Sequence, residues 1–128
     1  MNHSILSVGI AIRALLKKSP TLAKRCTKIF PVVVDEAKLP YILYRRTEVH
    51  ASAVKLPARP PRRATIEVVV YAETYAESIA LAEAVDDALS GNTYEGKELA
   101  VREIALTNAA EDYADGAYMQ ALTFDIAV

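Results

Sequence analysis

Between Thr74 and Gly91 the chain carries a complete helix signature, and this most constrains what can be built around it. Thr74-Tyr75-Ala76-Glu77 has the form of a capping box, in which hydroxyl and carboxylate satisfy reciprocal backbone donors. Leu81, Ala82, Val85, Ala88 and Leu89 then recur as one apolar stripe widened by Ile79, and Gly91 sits where a helix commonly ends. The small alanines on that stripe predict close packing on a sheet.

The sheet is legible on both sides of the helix. Tyr41 to Val49 is aromatic and β-branched. Arg63 to Tyr71 alternates, with Ile66, Val68 and Val70 on one face and Thr65, Glu67 and Val69 on the other. Leu99 to Thr107 and Ala117 to Val128 read as strands joined through Glu111 to Gly116. In the last of them Tyr118, Leu122, Phe124 and Ile126 share a face, opposed by Ala117, Thr123 and Asp125. An earlier helix follows from Ile5, Val8, Ile12, Leu15 and Leu16, capped by Ser4, with Lys17 and Lys18 in its last turn and Ser19-Pro20 as its stop. Gly9 within it either lowers stability or allows a close approach. Thr27 to Phe30 is a short edge strand ending at Pro31, and Val32 to Lys38 is a connection. The element order is α-β-β-β-α-β-β. It predicts an α+β chain: a two-layer sandwich, mainly antiparallel, with two helices on one face.

Ala51 to Arg62 does not fit either layer. Pro57, Pro60 and Pro61 forbid a ladder, and Lys55, Arg59 and Arg62 make the segment basic. It reads as a flexible extended arm joining two antiparallel strands. The 128-residue chain, 52% apolar and 24% charged, is ample for one domain with its own core. No apolar run approaches the ~20 residues of a membrane span. The start lacks a basic signal-peptide head, and the lone Cys26 offers no internal disulfide, so the expected compartment is the cytoplasm.

Charge is uneven along the chain. Up to Arg63 there are 13 Lys and Arg against Asp35, Glu36 and Glu48, a balance of +10; from Ala64 onward Lys97 and Arg102 face 13 acids, a balance of −11. Interleaving of the halves on folding is the favoured reading. The alternative is a basic face and an acidic face that draw copies together head to tail.

Chemistry is hard to find. His3 and His50 are far apart, Ser52 lies in no nucleophile turn, and His50 reads as a surface or interface residue. Cys26 follows Lys24-Arg25, which could lower a thiol pKa, but without a partner it reads as a partly buried structural thiol. One cysteine and two distant histidines make no zinc site. Adjacent Asp86 and Asp87 point apart on a helix. Glu111-Asp112 and Asp115-Gly116 lack calcium-loop spacing and read as an Asp-Gly hairpin turn with solvated acids. The four glycines form no phosphate loop. The arm has no aromatic residue to stack on bases and the chain is slightly acidic, so a nucleic-acid-binding module ranks well behind protein binding.

Several phrases, in order, resemble the tail-completion (tail-terminator) proteins of long-tailed phages and prophages. They are Lys28-Ile29-Phe30-Pro31, Leu39-Pro40-Tyr41-Ile42-Leu43-Tyr44-Arg45-Arg46, Ile66 to Ala72, the helix from Tyr75 to Leu89 with its Ala-Leu-x-Gly end, and Tyr118 to Ile126. The proline-rich arm departs from the more usual Gly- and polar-rich loop. The resemblance implies a structural virion protein, assembled in the bacterial host cytoplasm into the tail. Such a protein forms a ring, commonly a hexamer, ends the tail tube, and prepares it to join the head. Its implied partners are its own copies, the major tail tube protein and head–tail connector proteins. No cofactor, metal, active site or membrane is implied. The candidate assembly residues are Arg45, Arg46, Lys55, Arg59, Arg62 and Arg63. The rival reading is a small ligand-binding or regulatory domain, which requires a deep pocket between helices and sheet; a toxin-like or nuclease-like enzyme ranks lower.

Overall fold

The computed structural model describes residues 5–50, 62–97 and 99–128. A 3-10 turn, Ile5–Ser7, leads into α1 (Val8–Lys18) and α2 (Pro20–Arg25). Strands β1 (Ile29–Pro31), β2 (Tyr41–His50) and β3 (Arg63–Ala72) precede α3 (Tyr75–Leu89). A small hairpin of β4 (Tyr94–Glu95) and β5 (Ala100–Val101) comes next, then β6 (Glu103–Ala114) and β7 (Ala117–Ala127). Among the described residues the main sheet has the order β1-β2-β3-β7-β6, antiparallel except for the short parallel β1–β2 pair. The class is α+β, as the alternation and helical spacing imply.

Burial follows the sequence patterns. Ile66, Val68 and Val70 of β3 and Phe124 and Ile126 of β7 are fully buried on the helix side, with Leu122 nearly so, and Ile42 and Tyr44 extend that face into β2. Val8, Ile12, Leu15 and Leu16 of α1 and Leu81, Val85 and Leu89 of α3 close over it in one continuous core. Each such side chain contributes roughly 1.5–3 kcal/mol by leaving water. The Thr74 hydroxyl accepts the Glu77 amide at 3.2 Å, as a cap should. Glu77 does not return the bond in capping-box fashion; its carboxylate takes Arg25 at 3.3 Å. A Cβ added at Gly9 would meet the Tyr44 ring at 3.6 Å, an ordinary contact, so this glycine admits no unusually close neighbour.

Three expectations are corrected. Ser19-Pro20 ends α1 but also starts a helix: Ser19 Oγ accepts the Leu22 amide at 3.2 Å and Pro20 takes the first helical position, giving α2. The anticipated strand from Leu99 to Thr107 is two elements, β5 and β6, because the chain leaves one small sheet and joins the main one at Arg102. The anticipated connection from Glu111 to Gly116 shrinks to Asp115-Gly116. Both residues have positive φ (53° and 80°), the two-residue turn whose twist matches a hairpin, and this carries β6 on to Ala114. Ser4, expected to cap α1, lies outside the described residues, as does the arm from 51 to 61.

Candidate assembly surface

Among the described residues the helices cover one face of the sheet and leave the other bare. On the bare face Tyr41 stacks on Tyr71 with centroids 4.6 Å apart, and Leu43, Val69 and Ala121 continue a half-exposed apolar band. Toward the other end the face turns polar: Arg45 pairs with Glu67 at 3.0 Å, and Arg63 pairs with Asp125.

The β6–β7 hairpin is tied to the start of α3 by a polar latch. Glu111 Oε2 accepts from the Tyr75 hydroxyl at 2.8 Å and from the Gln120 amide at 3.0 Å. The same amide group reaches the buried Ser78 hydroxyl at 3.2 Å, which in turn donates to the Tyr75 carbonyl at 2.7 Å. These two donors hold the Glu111 carboxyl below its usual range, and the carboxylate in turn raises the Tyr75 phenol above 10.0. Tyr118 packs edge-on against both Tyr75 and Tyr113. The latch escaped sequence reading because strand β6 was ended too early. Counting back from the Asp115-Gly116 turn pairs Glu111 with Gln120 and would have found it.

The two outer edges of the sheet are unlike. β1 covers only Ile42 to Tyr44 of β2, and Arg45 to His50 have no strand outside them among the described residues. Val32 and Val33, just past β1, are 64% and 68% exposed. At the opposite edge β6 is exposed from Leu106 to Ala114. There the Tyr113 amide bonds to the Asp112 carboxylate at 2.8 Å. A bulge at Thr107 shifts the β6–β7 register by one residue, and pairing continues beyond it to Ala114.

The predicted assembly residues are not gathered into one patch. Arg45 lies on the bare face in its Glu67 pair, whereas Arg46 donates to the Leu6 carbonyl at 2.7 Å on the helix side. Arg62 is exposed where the chain re-enters β3, and Arg63 is engaged by Asp125. Lys55 and Arg59 lie outside the described residues. His50 is exposed and meets Glu48 at 2.9 Å. Cys26 is buried, and burial raises its thiol pKa, so the structural reading of this residue holds over the reactive one.

Among the described residues no side chains gather into a reaction centre. Among the described residues no three His, Cys, Asp or Glu side chains cluster as metal ligands, and no helix is long and apolar enough to cross a membrane. Two surface depressions, one among α1, α2 and α3 and one along Val34 to Lys38 beside Tyr41, are open to solvent. Neither lies between helices and sheet, where the ligand-binding reading needs its pocket.

Comparison with known proteins bears on the same surface. A solved chain from the virion of a native gene transfer agent particle superposes with TM-score 0.75 at 20% identity, over 98% of both chains. A second solved chain gives TM-score 0.65 at 16% identity over 94% of both. Comparison with curated proteins gave no match. The family model for tail completion protein gp17 matches residues 10–128, which span most of α1, all of α2 and α3, and every strand of the main sheet. A sheet covered on one side only, with two free edges and no reaction centre among its described residues, is thus that of a phage tail structural protein, and the chain belongs to the tail completion protein gp17 family.

Proposed function

We propose that the chain assembles into a ring, hexameric in the family's common form, that ends the tail tube and prepares it to join the head. Its partners are its own copies, the major tail tube protein and the head–tail connector proteins, met in the bacterial cytoplasm and retained in the virion tail. The observation that carries this reading is the one-sided sheet with its two dissimilar outer edges. A subunit with two different edges makes a heterologous contact, and such contacts close into rings when the rotation allows. The family supplies the tail; the likeness to a chain of a gene transfer agent virion is consistent with the same setting.

The basic arm, leaving β2 at His50 and returning at Arg62, emerges at the end of the sheet opposite the Asp115-Gly116 turn. In this proposal it orders against a neighbouring copy or the tube, with Lys55, Arg59 and Arg62 in contact, and Arg45, Arg46 and Arg63 bordering its base. Electron microscopy of the protein mixed with polymerised tail tube is the test. Rings or capped tubes are expected. Bare tubes at saturating protein would overturn the reading, and unchanged capping after deletion of Pro57 to Pro61 would remove the arm from it.

A further inference from the structure

Folding keeps the two charge halves of the chain on opposite sides of the sheet. The order β1-β2-β3-β7-β6 puts the basic first half at one edge and the acidic second half at the other. The halves meet along a central seam, where Arg25–Glu77, Arg45–Glu67 and Arg63–Asp125 pair across it. The outer edges lie beyond that seam. From Glu103 to Val128 there are five acids and no Lys, Arg or His; from Lys24 to Arg46 there are six Lys and Arg against Asp35 and Glu36.

Resting on the ring reading above, we infer that the β6 edge of one copy docks on the β1–β2 edge of the next, continuing the sheet from subunit to subunit. Register supports the match in height. Ile42, Val70, Gln120 and Glu111 lie on one line across the sheet, and the Lys28 carbonyl accepts the Ile42 amide at 2.9 Å. Ile29, the register partner of Ile42, and Glu111 therefore stand level at opposite edges, with Lys28 one residue from that line. Arg46 is likewise level with Leu106, and His50 with Glu103. Rotation about an axis along the strands preserves these heights. It brings β6, which runs opposite to β2, against β2 as an antiparallel neighbour.

Each edge also carries exposed apolar groups: Leu106 and Tyr113 on one, Val32 and Val33 on the other. Buried apolar anchors ringed by complementary charge are the usual anatomy of a specific interface. The same charges oppose the wrong pairings. Two β6 edges would set acids against acids, and two β1–β2 edges would set cations against cations.

Two measurements test the docking. The first is carbodiimide crosslinking of the unaltered protein at low salt, read by mass spectrometry. Links from Lys28 to Glu111 or Asp112 are expected. Within one chain these residues are separated by the whole sheet, roughly 19 Å at the ordinary strand spacing, so such a link joins two copies. The second uses light scattering on two double variants, Glu103→Lys with Asp112→Lys, and Lys28→Glu with Arg46→Glu. Each alone should associate at least about tenfold more weakly at low salt, and the two mixed should recover association at equal stoichiometry. Crosslinks from Lys28 to acids elsewhere, or double variants that associate and cap tubes as the parent does, overturn the docking and leave the ring reading standing. A parent protein that neither self-associates nor caps tubes overturns both.

Discussion

Val32 is a β-branched residue at φ 63°, and the Val33 amide bonds back to the Pro31 carbonyl at 2.7 Å. That pairing across one residue is the γ-turn of the rare, strained hand. A neighbour provides the control, since Val33 is the same residue type, 68% exposed against 64%, and outside the positive-φ region. Replacing either valine with glycine costs about 0.5–1 kcal/mol in chain entropy and a similar amount in lost apolar contact. These costs cancel in the comparison. What remains is the strain that only Val32→Gly relieves, about 1–3 kcal/mol. Val32→Gly should therefore be more stable than Val33→Gly by about 1–3 kcal/mol in urea unfolding, or roughly 3–9 °C in midpoint. Equal stabilities would refute the assignment of strain to this turn. If the edge docking is right, both variants weaken association, so Val32→Gly separates stability from assembly.

Phe124→Ala, at a fully buried position between sheet and helices, should cost about 3–5 kcal/mol in urea unfolding; a loss under 1 kcal/mol would mean this core is not closed. Cys26 should react slowly with thiol reagents in the folded protein and rapidly in denaturant, as burial and a raised pKa require. In the latch, the lowered Glu111 pKa gives stability that is present above the unfolded value of 4.5 and lost as pH falls through the lower folded one. The raised Tyr75 pKa gives stability that is present below 10.0 and lost as pH rises through the higher folded value. Glu111→Gln should bring one phenol back down toward 10 in a spectrophotometric titration, and an unchanged titration would count against the hydrogen bond.

Period-2 and period-3.6 patterns with one partner face were legible in the sequence, because burial on one side writes itself directly into alternation. β3, β7 and α3 lie within a residue of where the pattern put them. The failures share a physical cause. β6 past Thr107 is exposed on both faces, so no burial imposes an alternation and Asn108 to Asp112 look like a loop. α2 has one buried residue, Leu22, too little for a stripe. The assembly residues were sought among cations alone. The structure puts Arg45 and Arg63 into internal pairs, and the acidic edge and the exposed valines come into view only with the strand order.

The strand order also bears on how the split charge of the sequence is read. Interleaving occurs at the centre, where Arg25–Glu77, Arg45–Glu67 and Arg63–Asp125 pair the two halves. At the rims it does not occur, because β1 and β6 lie at opposite edges of the sheet. A monomer gains nothing from holding like charges together at its rims, since self-repulsion there opposes folding. Copies placed edge to edge turn that cost into attraction, and the attraction has a direction, since a basic edge accepts only an acidic one. Such a contact is screened within about 8 Å at physiological salt. Assembly should therefore weaken steeply with added salt while the melting midpoint of the subunit rises or holds. Light scattering and thermal unfolding measured across one salt series would show it, and a midpoint that falls in step with association would place the charged edges in the fold of the subunit instead of between subunits.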